Sequence, residues 1–464
     1  MSTLPVVVVG AGPSGLAAAA ELTVRGLPVL VLERGAHAGA AVGEWNHVRL
    51  FSRWGELIAP AARTLLAADG WREPNPDSYP TGAEWVEQYL RPLGVALGDR
   101  VRFEAEVIGV ARRGRDRVVD AGRDSEPLTV HVRTAHGDER ITARALIDAS
   151  GTWTTPNPLG GDGLPAIGEA AAAERISYRV PDLSGAAGVA RYAGKHVAVA
   201  GSGHSALTAL IVLAGLVEQH PGTRVTWLLR RGEIGAAFGG GAADQLPARG
   251  ALGLRAQEAV AAGHIGVVTG FRTETVQRAA DGRLVLIPAE GQAVRGVDEV
   301  VALTGFRPDL SWLAEVRLGL DATLQAPILL APLIDPNVHS CGTVYPHGVR
   351  ELSHPEPGVF LVGMKSYGRA PTFLAMTGYE PVRSIAAALA GDQEAAERVE
   401  LVLPETGVCG GSGLFDAPTE ESGGGGCCAA PAVLSASPTP DARPVPGSVR
   451  AGRGSDLWSR AASR

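Results

Sequence analysis

Two short glycine-rich stretches carry most of the chemistry readable in this 464-residue chain. Gly10-Ala11-Gly12-Pro13-Ser14-Gly15 follows the apolar run from Pro5 to Val9. Gly201-Ser202-Gly203-His204-Ser205-Ala206 follows the run from His196 to Ala200. In the first, one glycine permits a tight turn, the next lets backbone approach a pyrophosphate, and the third lets helix pack on strand. The second repeats that logic with Ala206 in the last place. In each the pyrophosphate would rest on the positive end of the following helix. Glu33, with Arg34 beside it, closes the next strand about 20 residues after the first loop, where a ribose-binding acid belongs. The strand after the second loop ends instead in Arg230-Arg231. A carboxylate there would repel a 2′-phosphate, whereas a guanidinium pairs with it bidentately. Two dinucleotides are expected, the second being NADPH. Two solvated arginines are the alternative in a chain whose only lysines are Lys195 and Lys365.

Sulfur supplies the other candidates. Cys341 lies in Asp335-Pro336-Asn337-Val338-His339-Ser340-Cys341-Gly342, with His347 close behind. Cys409 follows further on, and Cys427-Cys428 come directly after Gly423 to Gly426. Adjacent thiols beside a glycine run suit soft metal and metalloid ions, and three thiolates suit trivalent arsenic. Cys409, Cys427 and Cys428 are therefore the candidate metalloid ligands, with incidental cysteines as the alternative. Four cysteines do not make a secreted disulfide framework. There is no HExxH, no G-x-S-x-G, no Walker loop and no diagnostic carboxylate pair.

The elements that must position the loops follow from apolar patterning. Pro5–Val9 and Pro28–Leu32 read as strands buried on both faces, with a helix from Leu16 to Val24 between them. His196–Ala200, a helix from Leu207 to Glu218 and the strand Arg224–Leu229 repeat the unit. Between the units, Val101, Phe103, Ala105 and Val107 alternate with polar residues, and Leu128–Val132 and Ile141–Ile147 look alike. Together they predict an antiparallel meander, with Arg112-Arg113-Gly114-Arg115 as a solvated turn. Ala145–Gly151, Val297–Gly305 and Val359–Gly363 return the chain to parallel sheet, and Thr377–Leu389 reads as a helix. The fold class is α/β, with two Rossmann-like domains, the first discontinuous and carrying the meander. The expected bounds are 1–160 with 301–400 for the first dinucleotide, 161–300 for the second, NADPH, and a disordered tail over 404–464 that lacks apolar periodicity.

A net charge of −7 argues against nucleic acid as a partner, which would need a basic face. With 45% hydrophobic and 20% charged residues the chain reads as soluble and globular. Its longest apolar helical run, Ala206 to Val217, is short of the ~20 residues a bilayer needs, so no membrane is expected. No targeting segment precedes the first strand, and the expected location is cytoplasmic.

The order GAGPSG, meander, ALIDASG, GSGHSA, VVALTGFRPD and GVFLVG resembles the two-dinucleotide-binding flavoproteins over residues 1 to about 400. The resemblance implies FAD in the first loop and NADPH in the second, with Gly151 and Gly363 on the flavin side. Disulfide reductases of that kind place a cysteine pair beside the flavin, but no cysteine precedes Cys341. Gly43-Glu44-Trp45-Asn46-His47-Val48-Arg49-Leu50, with Trp45 near the cofactor, and Tyr192-Ala193-Gly194-Lys195 look like flavin-containing monooxygenases. The signature histidine ahead of their second loop is missing, since no histidine lies between His136 and His196. The stretch from HSCGTV through MKSYGRAPTFLAMTGYE to LPETGVC is similar to monooxygenases associated with arsenic-resistance operons. The implied activity is NADPH-dependent oxygenation of a soft nucleophile, trivalent arsenic or an N or S compound, through a flavin C4a-hydroperoxide, with O2 as co-substrate. An NADPH disulfide or metalloid reductase using Cys341 or the tail cysteines, and a metalloid-binding flavoprotein without turnover, are the alternatives. A homodimer is the assembly open to it.

Overall fold

The four valines of β1 (Val6–Val9) are all buried, as a central parallel strand requires. The chain continues through α1 (Pro13–Val24) to β2 (Val29–Leu32), which lies parallel to β1 with Val6 opposite Val29. Several helices between residues 54 and 97 follow, and β3 (Val101–Arg102) then joins the edge of β2 in parallel. Strands β4 (Glu106–Arg112), β5 (Leu128–Thr134) and β6 (Gly137–Ala143) form the antiparallel meander. The chain returns as β7 (Ala145–Asp148), parallel to β1 on its other side. The structure, a computed structural model, describes residues 3–244, 246–338, 346–370 and 374–401. Cys341, Cys409, Cys427, Cys428 and the expected tail over 404–464 lie outside the described residues.

The second domain begins with β8 (Ile176–Ser177) and β9 (His196–Ala200). It continues through α2 (His204–Gln219), β10 (Arg224–Leu228), α3 (Pro247–Ala261) and β11 (Ile265–Val268). A second antiparallel sheet comes next, made of β12 (Thr273–Arg278), β13 (Leu284–Pro288) and β14 (Val294–Val297). Then β15 (Glu299–Ala302) runs parallel between β9 and β8. Finally β16 (Val359–Leu361) pairs with β7, and α4 (Ala375–Ala390) packs on α1. The first parallel sheet has the order β16-β7-β1-β2-β3 and the second β11-β10-β9-β15-β8.

Both domains use one packing plan. Val6 and Val8 face α1 and the helices beyond it, while Val7 and Val9 face Leu128, Val130 and Val132 of the meander. In the second domain Val197 and Val199 face α2, while Ala198 and Ala200 meet Leu284 and Leu286 of the small antiparallel sheet. Side chains alternate along a strand, so each central strand needs a cover on both faces. That requirement accounts for the meander and for the second small sheet. Three details depart from the expected layout. Val101 belongs to the parallel sheet instead of the meander, β12–β14 form a sheet not expected from sequence, and a break at 300/301 would fall inside β15. Two crossings join the domains as a short antiparallel ribbon. In it Pro156 lies opposite Phe306, the Asn157 amide donates to the Gly305 carbonyl at 2.9 Å, and the Arg307 amide donates to Thr155 at 2.9 Å. No helix among the described residues is long and apolar enough to cross a membrane.

Candidate functional site

Strands β1, β2, β7 and β16 are parallel, so their carboxyl ends share one edge, and the first loop lies there. Gly10 has φ +98°, and a Cβ on it would lie 2.8 Å from the Ala149 carbonyl oxygen. A Cβ on Gly15 would lie 1.9 Å from the Gly10 carbonyl oxygen, so only hydrogen fits between helix and loop. Gly12 differs. It caps α1 in extended conformation, with φ −80° and ψ −175°, and nothing lies within 4 Å of where its Cβ would stand. That is open space over a helix start whose free amides favour an anion. Pro13 occupies the first turn, where its missing N–H leaves nothing unpaired. The Ser14 hydroxyl faces Gly363, where a Cβ would come within 2.7 Å.

Glu33 follows the end of β2, and its carboxylate accepts the Ala11 amide at 2.6 Å and the Gly35 amide at 2.7 Å. The acid is thus tied to the loop itself, while Arg34 is exposed. Beyond β7, Asp148 accepts the Ser150 amide at 3.0 Å and hydroxyl at 2.6 Å, which shapes the turn ahead of Gly151, at φ +68°. Lys365, fully buried, reaches Asp148 at 2.6 Å and donates to Ser150 at 3.1 Å. Such a pair is held by its mutual neutralisation, since either charge alone would be strongly disfavoured there. Trp45 is half-buried and packs on Trp85 with centroids 6.4 Å apart.

The second loop repeats the geometry. Gly201 has φ +127°, and its Cβ would lie 2.2 Å from the Leu303 carbonyl oxygen. Gly203 caps α2 with φ −83° and ψ 177°, and again nothing lies within 4 Å of a Cβ there. Ala206 is buried where the first loop has glycine, and Ser202 and Ser205 flank the open face. The Trp227 indole, fully buried, donates to the Gly201 carbonyl at 2.7 Å and fixes the loop from below. His204 opens α2, and burial, then the nearby Arg249 charge, pull it down to about 4, so it is neutral at physiological pH. Arg249 itself is buried against Asp244 at 2.7 Å. Arg230 and Arg231 follow β10 at the same sheet edge. Arg230 is exposed and extends to within 3.5 Å of the Gly161 carbonyl, and Arg231 is half-buried.

Both cradles fit a dinucleotide, because each has a glycine where a side chain would fill the space above a helix start. The first carries a carboxylate at the ribose position, and the second carries two guanidinium groups. FAD fits the first set and NADPH the second. Trp227, Asp148 and Lys365 were not singled out from sequence. Their roles arise from contacts between residues 26 to 217 positions apart. Among the described residues no group of three His, Cys, Asp or Glu could hold a metal ion. Cys341, Cys409, Cys427 and Cys428 are not among them.

Residues 7–331 match the family model of pyridine nucleotide-disulphide oxidoreductases. The chain is similar to an indole-3-pyruvate monooxygenase of Oryza sativa, 34% identical over 201 residues, which spans 43% of each chain. It is also similar to a ferredoxin–NADP reductase of Ralstonia nicotianae, 30% identical over 325 residues, covering 68% of this chain and 74% of that protein. Among solved structures, the bacillithiol disulfide reductase of Bacillus cereus shares the fold. Its TM-score is 0.60 at 20% identity, over 84% of this chain and 99% of that one.

Proposed function

The chain belongs to the pyridine nucleotide-disulphide oxidoreductase family, and within it we propose an NADPH-dependent monooxygenase acting on a soft nucleophile. It is an FAD-dependent oxidoreductase with NADPH as its donor. The observation that carries the finer reading is the distribution of sulfur. Residues 1–340 contain no cysteine, and both nucleotide loops with every strand of their sheets except β16, Val359–Leu361, fall within that stretch; β16 contains none either. A dithiol–disulfide exchange beside the flavin therefore has no partner within either loop or the strands behind it. The similarity to the rice monooxygenase supports the same direction.

FAD held at the first loop would supply the redox chemistry that couples NADPH oxidation to O2 and to oxygenation of the substrate. The protein's part is binding and orientation. Gly12 and the α1 start receive one pyrophosphate, Gly203 and the α2 start the other, and Glu33 orients the first ribose. Arg230 and Arg231 select the 2′-phosphate. The neutral His204 adds no charge beside the second phosphate cradle. For the substrate we favour trivalent arsenic or an N or S compound, with Cys409, Cys427 and Cys428 as the thiols that would capture a metalloid.

Oxygen tests this reading. Purified holoenzyme is mixed with NADPH in air and under anaerobic conditions, with arsenite, a thioether or an amine present. NADPH oxidation coupled to O2 uptake, with one oxygenated product per NADPH, is the expected result. Sustained anaerobic turnover that Cys341→Ser abolishes would instead make the chain a thiol-dependent reductase.

A further inference from the structure

The stretch from Gly43 to Phe51 builds neither nucleotide cradle, yet three of its side chains, at positions 44, 47 and 51, reach toward the second domain. Glu44 accepts the Trp153 indole N–H at 2.6 Å and lies 4.0 Å from the Arg179 guanidinium. That guanidinium stacks 3.7 Å from the Trp153 ring centroid. His47 Nε2 is 3.2 Å from the Val180 carbonyl oxygen, and its Nδ1 is 4.0 Å from Asp182. The Phe51 ring meets the His204 ring with centroids 5.1 Å apart at 47°. These contacts all cross the boundary. Trp153 sits on the outgoing crossing, 5.3 Å from Phe306 on the returning one, whereas His204 is the first residue of α2 in the second loop.

We propose that Glu44, His47 and Phe51 form a seam that holds the second nucleotide domain in one orientation on the first, with Phe51 as the positioning residue. The two crossings alone are a pair of short extended segments, the kind of connection about which domains rotate. Rotation there would displace Trp153, which lies on a crossing, least, and would carry His204 with the second domain. Phe51 therefore holds a residue that turns with the second domain, the first of the helix that carries the NADPH cradle. Because the imidazole is neutral, the ring pair packs without a charge to solvate. The polar contacts at Glu44 and His47 are partly exposed, so the seam can open as well as close. Two nucleotides held by separate sheets exchange electrons only when their reacting ends come within contact distance. Orientation of the domains then governs the rate of transfer, while the phosphate cradles govern affinity.

The holoenzymes of Phe51→Ala, Phe51→Leu and Phe51→Tyr test the seam. Flavin content and NADP+ affinity, measured by titration, should stay within about threefold of the parent. The anaerobic rate of flavin reduction at saturating NADPH should fall about tenfold or more in Phe51→Ala, less in Phe51→Leu, and recover in Phe51→Tyr. Tryptic cleavage at Arg179, followed by mass spectrometry, should accelerate in the same order, with a smaller increase in Glu44→Gln. If Phe51→Ala does not hold FAD, Phe51→Leu carries the same comparison. An unchanged reduction rate, a defect confined to NADP+ affinity, or cleavage at the parent rate would each overturn the proposal. Because the reduction is measured without O2, these outcomes do not depend on whether the chain is a monooxygenase.

Discussion

A valine at position 12 would place its branch in the space that the backbone leaves open over α1, and one at 203 would do the same over α2. The two substitutions separate the cofactors. Gly12→Val should yield colourless protein, read as the flavin-to-protein ratio, while Gly203→Val should keep its flavin and lose response to NADPH. Neither position has φ in the left-handed region, so the side chain meets no backbone conflict there and the effect reports on the ligand. Arg230 and Arg231 supply the second residue-scale expectation. Losing a charged bidentate contact costs roughly 1.5–3 kcal/mol, so replacing both by alanine should lower the NADPH-over-NADH preference about ten- to a hundredfold. Steady-state comparison of the two donors measures it. An unchanged ratio would make both arginines solvated surface charges.

At the scale of elements, the meander is fastened to the first sheet by charge as well as by its apolar face. Glu356, just before β16, is buried between Arg112 of β4 at 2.6 Å and Arg123 at 2.7 Å. Burial pushes its carboxyl up, but hydrogen bonds from Arg123, Arg112 and the Arg317 amide outweigh that and hold it below the usual carboxylate range. A carboxylate lowered on folding stabilises the protein above its unfolded pKa and loses that stability as pH falls through its folded value. Glu356→Gln leaves two buried guanidinium groups without their counter-charge and should cost about 3–5 kcal/mol. Thermal or urea unfolding at neutral pH measures the loss, and the difference from the parent should narrow as pH drops below about 4. A variant as stable as the parent at neutral pH would mean that the apolar face alone fastens the meander. Why the parallel strands were legible in the sequence, and other elements less so, is also an element-scale matter. Val6–Val9 and His196–Ala200 are covered on both faces and so read as unbroken apolar runs. Val101 alternates with polar neighbours as a meander strand would, and alternation cannot say which strand is the partner. Of the strands β12–β14, β12 is broken by Glu274, Gln277 and Arg278 and β14 by Arg295, whereas β13 is an apolar run, Leu284–Pro288, that does not name its partners. The pairs Glu44–Arg179 and Phe51–His204 are not legible from spacing, because each joins segments far apart in the chain.

At the scale of the whole molecule, the question is how the cysteine-bearing end of the chain relates to the nucleotide domains. The last described residues still belong to the first domain. Glu400 lies 3.0 Å from Arg398 and 3.7 Å from Arg383, and Arg383 is itself paired with Glu380 on α4 at 2.5 Å. A chain ending at Leu403 keeps all of these contacts, so removing residues 404–464 should leave FAD content, thermal stability and metalloid-free NADPH oxidation as they are. What it removes is Cys409, Cys427 and Cys428. Binding of a soft ion displaces the thiol protons, so affinity contributed by these residues should rise with pH as thiolate forms more readily. If they collect trivalent arsenic for the flavin site, half-saturation by arsenite, read through NADPH consumption, should rise about tenfold or more on truncation. The full-length chain should also show tighter binding at pH 8 than at pH 6, and the truncated chain should not. Replacing the three cysteines by serine in the full chain should reproduce the truncation, which assigns the effect to the thiols. Equal half-saturation in all three proteins would leave Cys341 as the one thiol able to serve a metalloid, and its serine variant then decides whether any such role exists.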